Sequence, residues 1–193
     1  MLILASASPR RRELLERVGV TFATHPTDVD ESVAPGESPL TYVRRVAAAK
    51  AAAVASDDDW ILAADTTVAR AGTIYGKAAD AAEATAMLTA LAGHTHQVTT
   101  AVVLRRGAEV HALEVSTEVD LGPLEPEVLA DYVASQEWQG KAGAYAVQGI
   151  GAALVHAVRG SITNVIGLPL AEVVALLRAT GAAPIHLARG RAA

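Results

Sequence analysis

"THQVTTAVVLRRGAEVHALEVSTEVDL", residues 95–121, constrains the architecture more than any other stretch of the chain. Two long runs rich in Val and Thr flank Gly107, so the pattern from His94 to Val119 predicts two long strands turning at that glycine. Shorter units lie upstream. Leu2 to Ala5 reads as a short buried strand, and Ser8 (cap) and Pro9 (first helical position) open a helix ending near Gly19. Leu14, Leu15 and Val18 form its apolar face, and Val20 to Thr24 reads as another strand. After the acidic loop "HPTDVDESVAPGE" (25–37), Ser38 and Pro39 open a helix over "LTYVRRVAAAKAAAVAS" (40–56). "WILAADTTVARAGTIYGK" (60–77) carries a buried strand, Trp60 to Ala64, and a hairpin turning at Ala71-Gly72. Asp80 to Leu91 is helical and stops at Gly93.

Downstream of the long hairpin, Glu125 to Ser135 reads as a helix with Pro126 near its start. "GAALVHAVRGSITNVIGLPL" (151–170) reads as strand, turn and strand, and Leu170 to Thr180 as the last helix. The tail, Ala188 to Ala193, is expected to fray. Strands alternating with helices, plus a long hairpin, predict an α/β fold with a mixed sheet flanked by helices. No repeat, low-complexity block or linker divides residues 1–193, so a single domain is expected.

The chain is long enough to bury a proper core, and 51% hydrophobic with 19% charged residues is an ordinary globular composition. The 16 basic and 21 acidic residues give a net charge of −5, opposite to the balance of a general nucleic-acid binder. Any anion site must therefore be local. The absence of cysteine excludes disulfides, cysteine nucleophiles and thiolate zinc sites. Leu2 to Ala5 is too short for a signal-peptide core and no stretch approaches a membrane span, so a cytoplasmic protein without membrane partners is expected.

Arg10, Arg11 and Arg12 follow Pro9 in the first helical turn, where unsatisfied N–H groups already carry partial positive charge. Cations there are unfavourable by roughly 0.3–1 kcal/mol. A bound phosphate reverses the sign, since N–H groups, dipole and guanidinium groups then converge on one anion. Ser6, Ser8, Arg10 and Arg11 make that cradle; the alternative is a solvated basic helix end with Arg17 paired to Glu13. Asp65 follows an apolar strand, as a carboxylate at a sheet's edge would, and suits a metal ligand or a base for an attacking water. Its plainer reading is a helix cap or turn, although no helix follows. Thr66 and Thr67 line the same pocket or merely satisfy strand propensity. Lys50, Lys77 and Glu31 are each ambiguous alone. His94 and His96 share a strand face but lack an evident third ligand for a metal. "QGKAGAYAVQGIG" (139–151) holds Lys141, Tyr145 and Gln148 on a glycine-rich backbone without P-loop spacing.

In order along the chain, "LASASPRRRELL", "AADTTV", "GK", "THQVTTAV", "GKAGAYAVQG" and "GSITNVIGLPL" resemble the Maf family over nearly the whole length. The resemblance implies an elongated α/β fold like that of the inosine-triphosphate pyrophosphatases, with a cleft between two lobes. It also implies hydrolysis of nucleoside triphosphates to the monophosphate and pyrophosphate with a divalent cation, Mg²⁺ or Mn²⁺. Ser6, Arg10 and Arg11 fall on the family's phosphate-contacting motif, and Glu31, Lys50 and Lys77 on its charged site positions. Asp65 matches the general base, with Glu31 and Asp65 the metal-binding pair. Arg10, Thr66 and Gln148 match positions associated with base selectivity.

Glutamine at 148 is similar to the branch acting on dTTP and UTP, whereas a branch acting on a methylated guanosine triphosphate carries a carboxylate there. An amide both accepts from N3–H and donates to O4 of a pyrimidine; a carboxylate only accepts. Ala78 stands where the family has proline, which predicts a less rigidly placed Lys77, and Gly140 stands where an aspartate precedes the lysine. The resemblance points to a homodimer and to a nucleoside triphosphate as partner. The alternatives are the same reaction on another or a modified nucleotide, and a regulatory, binding-only role associated with septum formation.

Overall fold

The computed structural model describes residues 1–186, so the tail expected to fray lies outside the described residues. The strands are β1 (Leu2–Leu4), β2 (Ala23–Thr24), β3 (Trp60–Arg70), β4 (Thr73–Tyr75), β5 (Thr95–Arg106), β6 (Glu109–Leu121) and β7 (Val155–Arg159). The helices are α1 (Pro9–Arg17), α2 (Pro39–Ala52), α3 (Ala81–Leu91), α4 (Pro126–Ala134), α5 (Ile162–Ile166) and α6 (Leu170–Thr180). One mixed sheet runs β2-β1-β3-β5-β6-β7, with β4 on the flank of β3. β1 is parallel to β2 and β3; the remaining pairs are antiparallel. The α/β reading holds, and β5 and β6 form the long hairpin around Gly107.

Two expectations change and a third narrows. "SITNVIG" was expected to continue as a strand, but Ile162–Ile166 is a short helix. Its β-branched residues favour a strand locally, yet the Ser161 hydroxyl accepts from the Asn164 amide and Gly167, at φ 127°, ends the turn. The other change concerns β3, which runs straight through Asp65 rather than stopping at Ala64. Val20–Thr24 shrinks to the two residues of β2.

The path of β3 creates the cleft. One edge pairs with β5 from Ile61 to Ala69. The other edge pairs with β1 only over Trp60–Leu62 and with β4 only over Val68–Arg70. Between them, residues 63–67 have no strand neighbour on that side among the described residues, and the sheet is split open there.

Apolar residues fill the two faces at the strand period of two. Trp60, Leu62 and Ala64 join Leu14 and Leu15 of α1 and Val173 and Leu177 of α6. Ile61 and Ala63 join Val43, Val46 and Ala47 of α2. A further cluster gathers Leu88 and Leu91 of α3, Tyr132 of α4, and Trp138, Tyr145 and Leu154.

Candidate active site

The same alternation sorts the polar residues that interrupt the apolar run of β3. Asp65 points with Ile61 and Ala63 towards α2, and Thr66 points with Leu62 and Ala64 towards α1. On α2, Val43, Val46, Ala47, Lys50 and Ala51 share the buried face, so the helical period carries Lys50 into the core beside Asp65. The small alanines around it leave room for the lysine stem.

Lys50 Nζ donates to Asp65 Oδ1 at 2.7 Å and bridges to Glu31 Oε1 at 2.6 Å, and Lys77 Nζ reaches Glu31 Oε2 at 2.6 Å. The result is a chain of alternating charge, Asp65–Lys50–Glu31–Lys77. Its inner pair is buried, each side chain 9% exposed. Burial pushes the Glu31 carboxyl up, but hydrogen bonds from Lys50 and Lys77 and their charges outweigh it and hold its pKa at about 2. Lys77 pairs through its backbone with Ala142, and its side chain is 57% exposed.

The arginines divide their work. Ser8 caps α1 by accepting from the Arg11 amide at 3.4 Å. The buried Arg11 guanidinium then turns inward, donating through Nε to the Gly167 carbonyl at 2.8 Å. Its other nitrogens donate to Ser6 Oγ at 3.3 Å and Thr66 Oγ1 at 3.1 Å. Burial lowers its pKa, and the Asp65 carboxylate opposes that. Thr66 Oγ1 continues to Thr100 Oγ1 at 2.8 Å, and Thr100 donates to the Asn164 carbonyl at 3.1 Å. Arg11 thus ties α1, β3 and α5 together. Arg10 forms no ion pair among the described residues, and the ion pair on α1 is Arg12 with Glu16 at 3.3 Å, not the Arg17–Glu13 pair of the alternative reading.

A cavity of about 500 Å³ opens at the gap in the sheet. Ser6, Arg10, Arg11, Glu31, Lys50, Asp65, Thr66, Lys77 and Gln148 all line it, whereas Thr67, His94 and His96 do not. Lys141 lines it too, and five cations then face two carboxylates in a chain whose net charge is −5. Such a wall suits a polyanion. Gly167 was absent from the sequence reading; its carbonyl role leaves no trace in residue type beyond the helix-stop glycine.

His96 does not join a metal site. It is buried, its Nε2 lies 2.7 Å from the Tyr145 hydroxyl, and no cluster of three or more His, Asp or Glu able to hold a metal occurs among the described residues. Burial lowers its pKa from 6.5 to about 4. The unfolded chain therefore takes up a proton first as pH falls, so this contribution to stability is complete above pH 6.5 and is lost towards pH 4. Its full size is about 3 kcal/mol. Glu31, held down rather than up, contributes above pH 4.5 and loses that contribution below it. Thermal stability should fall as the pH drops from 6.5 to 4.5, and His96→Gln should flatten that slope; equal slopes would contradict the assignment.

The family model for Maf-like protein matches residues 1–180. The chain belongs to the Maf family. Among curated Maf relatives, the dTTP/UTP pyrophosphatase of Cereibacter sphaeroides is 52% identical over 182 residues, covering 93% of this chain and 95% of its own. That of Anaeromyxobacter dehalogenans is 51% identical over 184 residues, covering 93% and 94%. That of Myxococcus xanthus is 49% identical over 183 residues, covering 94% and 93%. The solved Staphylococcus aureus Ham1 protein aligns at 14% identity and TM-score 0.42, over 62% of this Maf chain and 71% of that one, too remote to bear on the site. No helix among the described residues is long and apolar enough to cross a membrane.

Proposed function

We propose that this Maf chain hydrolyses dTTP and UTP to the nucleoside monophosphate and pyrophosphate, clearing nucleotides from the cytoplasmic pool. The observation that carries this reading is the Asp65–Lys50–Glu31–Lys77 chain, buried at its Asp65–Lys50 end and set into a cation-rich cavity. The dTTP/UTP pyrophosphatases at 52% and 51% identity support the substrate. Residues 1–193 act as one domain in this reading, and a homodimer is the assembly to check by light scattering.

Water attacks the α-phosphorus, the bond from that phosphorus to the α–β bridging oxygen breaks, and pyrophosphate leaves with the electron pair. Asp65 takes the water's proton: Lys50 fixes its Oδ1, which leaves Oδ2 as the accepting atom. Arg10, Lys50 and Lys77 stabilise charge on the departing pyrophosphate by preorganised electrostatics. Arg11 contributes buried charge and holds Ser6 and Thr66 at the cavity wall. Gln148 reads the base through the donor and acceptor of its amide.

The donor set fits a hard divalent cation. Glu31 and Asp65 would supply carboxylate oxygens in one cavity, Asp65 by way of the water whose proton it takes, and such cations are held by one or two carboxylates plus substrate phosphates. Lys77, its side chain 57% exposed, is the partner on Glu31 that gives way. When bound, Mg²⁺ or Mn²⁺ neutralises charge developing on the phosphates.

The test is product analysis with dTTP, UTP, CTP, GTP and 7-methyl-GTP in Mg²⁺ or Mn²⁺. Pyrophosphate appearing fastest from dTTP and UTP is the expected result. Another preferred base would overturn the reading of Gln148, and no turnover of any nucleotide would favour the regulatory alternative.

A further inference from the structure

Gln148 reaches the cavity from the turn that opens a 3₁₀ helix over Gly149–Leu154, and the group that shapes this turn lies outside the cavity wall. Glu137 follows α4. Its amide donates to Ser135 Oγ at 3.2 Å, and the indole N–H of the buried neighbour Trp138 donates to the Val133 carbonyl at 2.9 Å. The backbone carrying Glu137 is therefore fixed.

Its carboxylate spans the turn, Oε1 accepting from the Ile150 amide at 3.0 Å and Oε2 from the Gly151 amide at 2.7 Å. A helix start leaves such amides unpaired, and a carboxylate accepting from two of them fixes the local backbone in angle as well as distance. The glycines are required by this clasp. Gly149 has φ +72°, and a Cβ there would fall 2.0 Å from Glu137 Oε1. A Cβ on Gly151 would fall 2.5 Å from the Ala146 carbonyl oxygen and 3.0 Å from the Tyr132 hydroxyl. The Glu137 carbonyl also accepts from Lys141 Nζ, a cation of the cavity wall. One residue outside the site thus holds both Lys141 and the amides two and three positions after Gln148.

We propose that Glu137 is a positioning residue for base selectivity. By clamping the amides of Ile150 and Gly151 it holds the Gln148 amide at the angle where donor and acceptor both meet a pyrimidine bearing N3–H. This rests on the reading of Gln148 given above. Ile150 is 55% exposed, so water can replace the carboxylate at its amide, whereas the buried Gly151 would lose its acceptor, which is why folding is checked beside selectivity.

The experiment measures kcat/KM for dTTP, UTP and CTP in the full chain and in Glu137→Ala, Gln148→Ala and the double variant, with circular dichroism confirming folding. Glu137→Ala should lower the dTTP-to-CTP ratio by about tenfold, chiefly through KM for dTTP. In the double variant the ratio should fall no further than in Gln148→Ala, because one residue acts through the other. Should Glu137→Ala not fold, Glu137→Gln, which keeps one acceptor oxygen, carries the same comparison. Equal loss on all three nucleotides, with Gln148→Ala still collapsing the ratio, would mean a structural role only and overturn the proposal. An unchanged ratio in Gln148→Ala would overturn the reading of Gln148 itself, and the role of Glu137 with it.

Discussion

Asp65→Asn should lower kcat for dTTP by about 10²- to 10⁴-fold with little change in KM, the range expected when a positioned base is lost. The substitution removes the proton acceptor and its charge while keeping its shape. Asparagine has the size of aspartate, and its carbonyl oxygen can still accept from Lys50 as Asp65 Oδ1 does at 2.7 Å. Its NH₂ group cannot take a proton from water. Lys50 keeps its bridge to Glu31 at 2.6 Å, so the buried ammonium is not left without a partner. Steady-state kinetics beside a melting curve separates the two effects. A well-folded Asp65→Asn protein with near-full turnover would remove Asp65 from the chemistry.

Lys50→Met should act on stability as strongly as Asp65→Asn acts on rate. Breaking a buried ion pair from one side costs about 3–5 kcal/mol, because the surviving charge stays buried without compensation. Here the survivor is Asp65, only 9% exposed, while Glu31 keeps Lys77. A loss of that size is a large fraction of the stability of most domains, about 5–15 kcal/mol. Adding Asp65→Asn to Lys50→Met removes the orphaned charge and should restore part of the stability, a coupling that a double-mutant cycle in urea would measure. A single-variant loss below about 1 kcal/mol would place the pair among the weak ion pairs typical of exposed surfaces.

The parts of this protein legible in its sequence are those where one residue type has one local use. Ser8-Pro9 and Ser38-Pro39 open helices, and α6 runs from Leu170 to Thr180 as its periodicity predicts. Arg10 and Arg11 in a first turn, where a solitary helix has no use for them, marked a place that the fold brings to the cavity wall. Other parts depend on partners far along the chain. α5 has five residues, too few to show a helical period, and its Ile, Thr and Val read equally well as a strand. Lys50 is an ordinary lysine until the helical period of α2 and the alternation of β3 bring it against Asp65. Asp65 looked like a residue at a strand's end because the apolar run stops there. The strand itself continues, since Thr66–Arg70 pair onward with β5 and β4. Glu137 left no signal, as its partners are the backbone amides of Ile150 and Gly151 and not side chains.

The most direct measurement is hydrolysis of dTTP in ¹⁸O-labelled water, with both products analysed by mass. Attack at the α-phosphorus predicts unlabelled pyrophosphate and thymidine monophosphate carrying one ¹⁸O. Label in the pyrophosphate, or release of orthophosphate with thymidine diphosphate, would contradict the account.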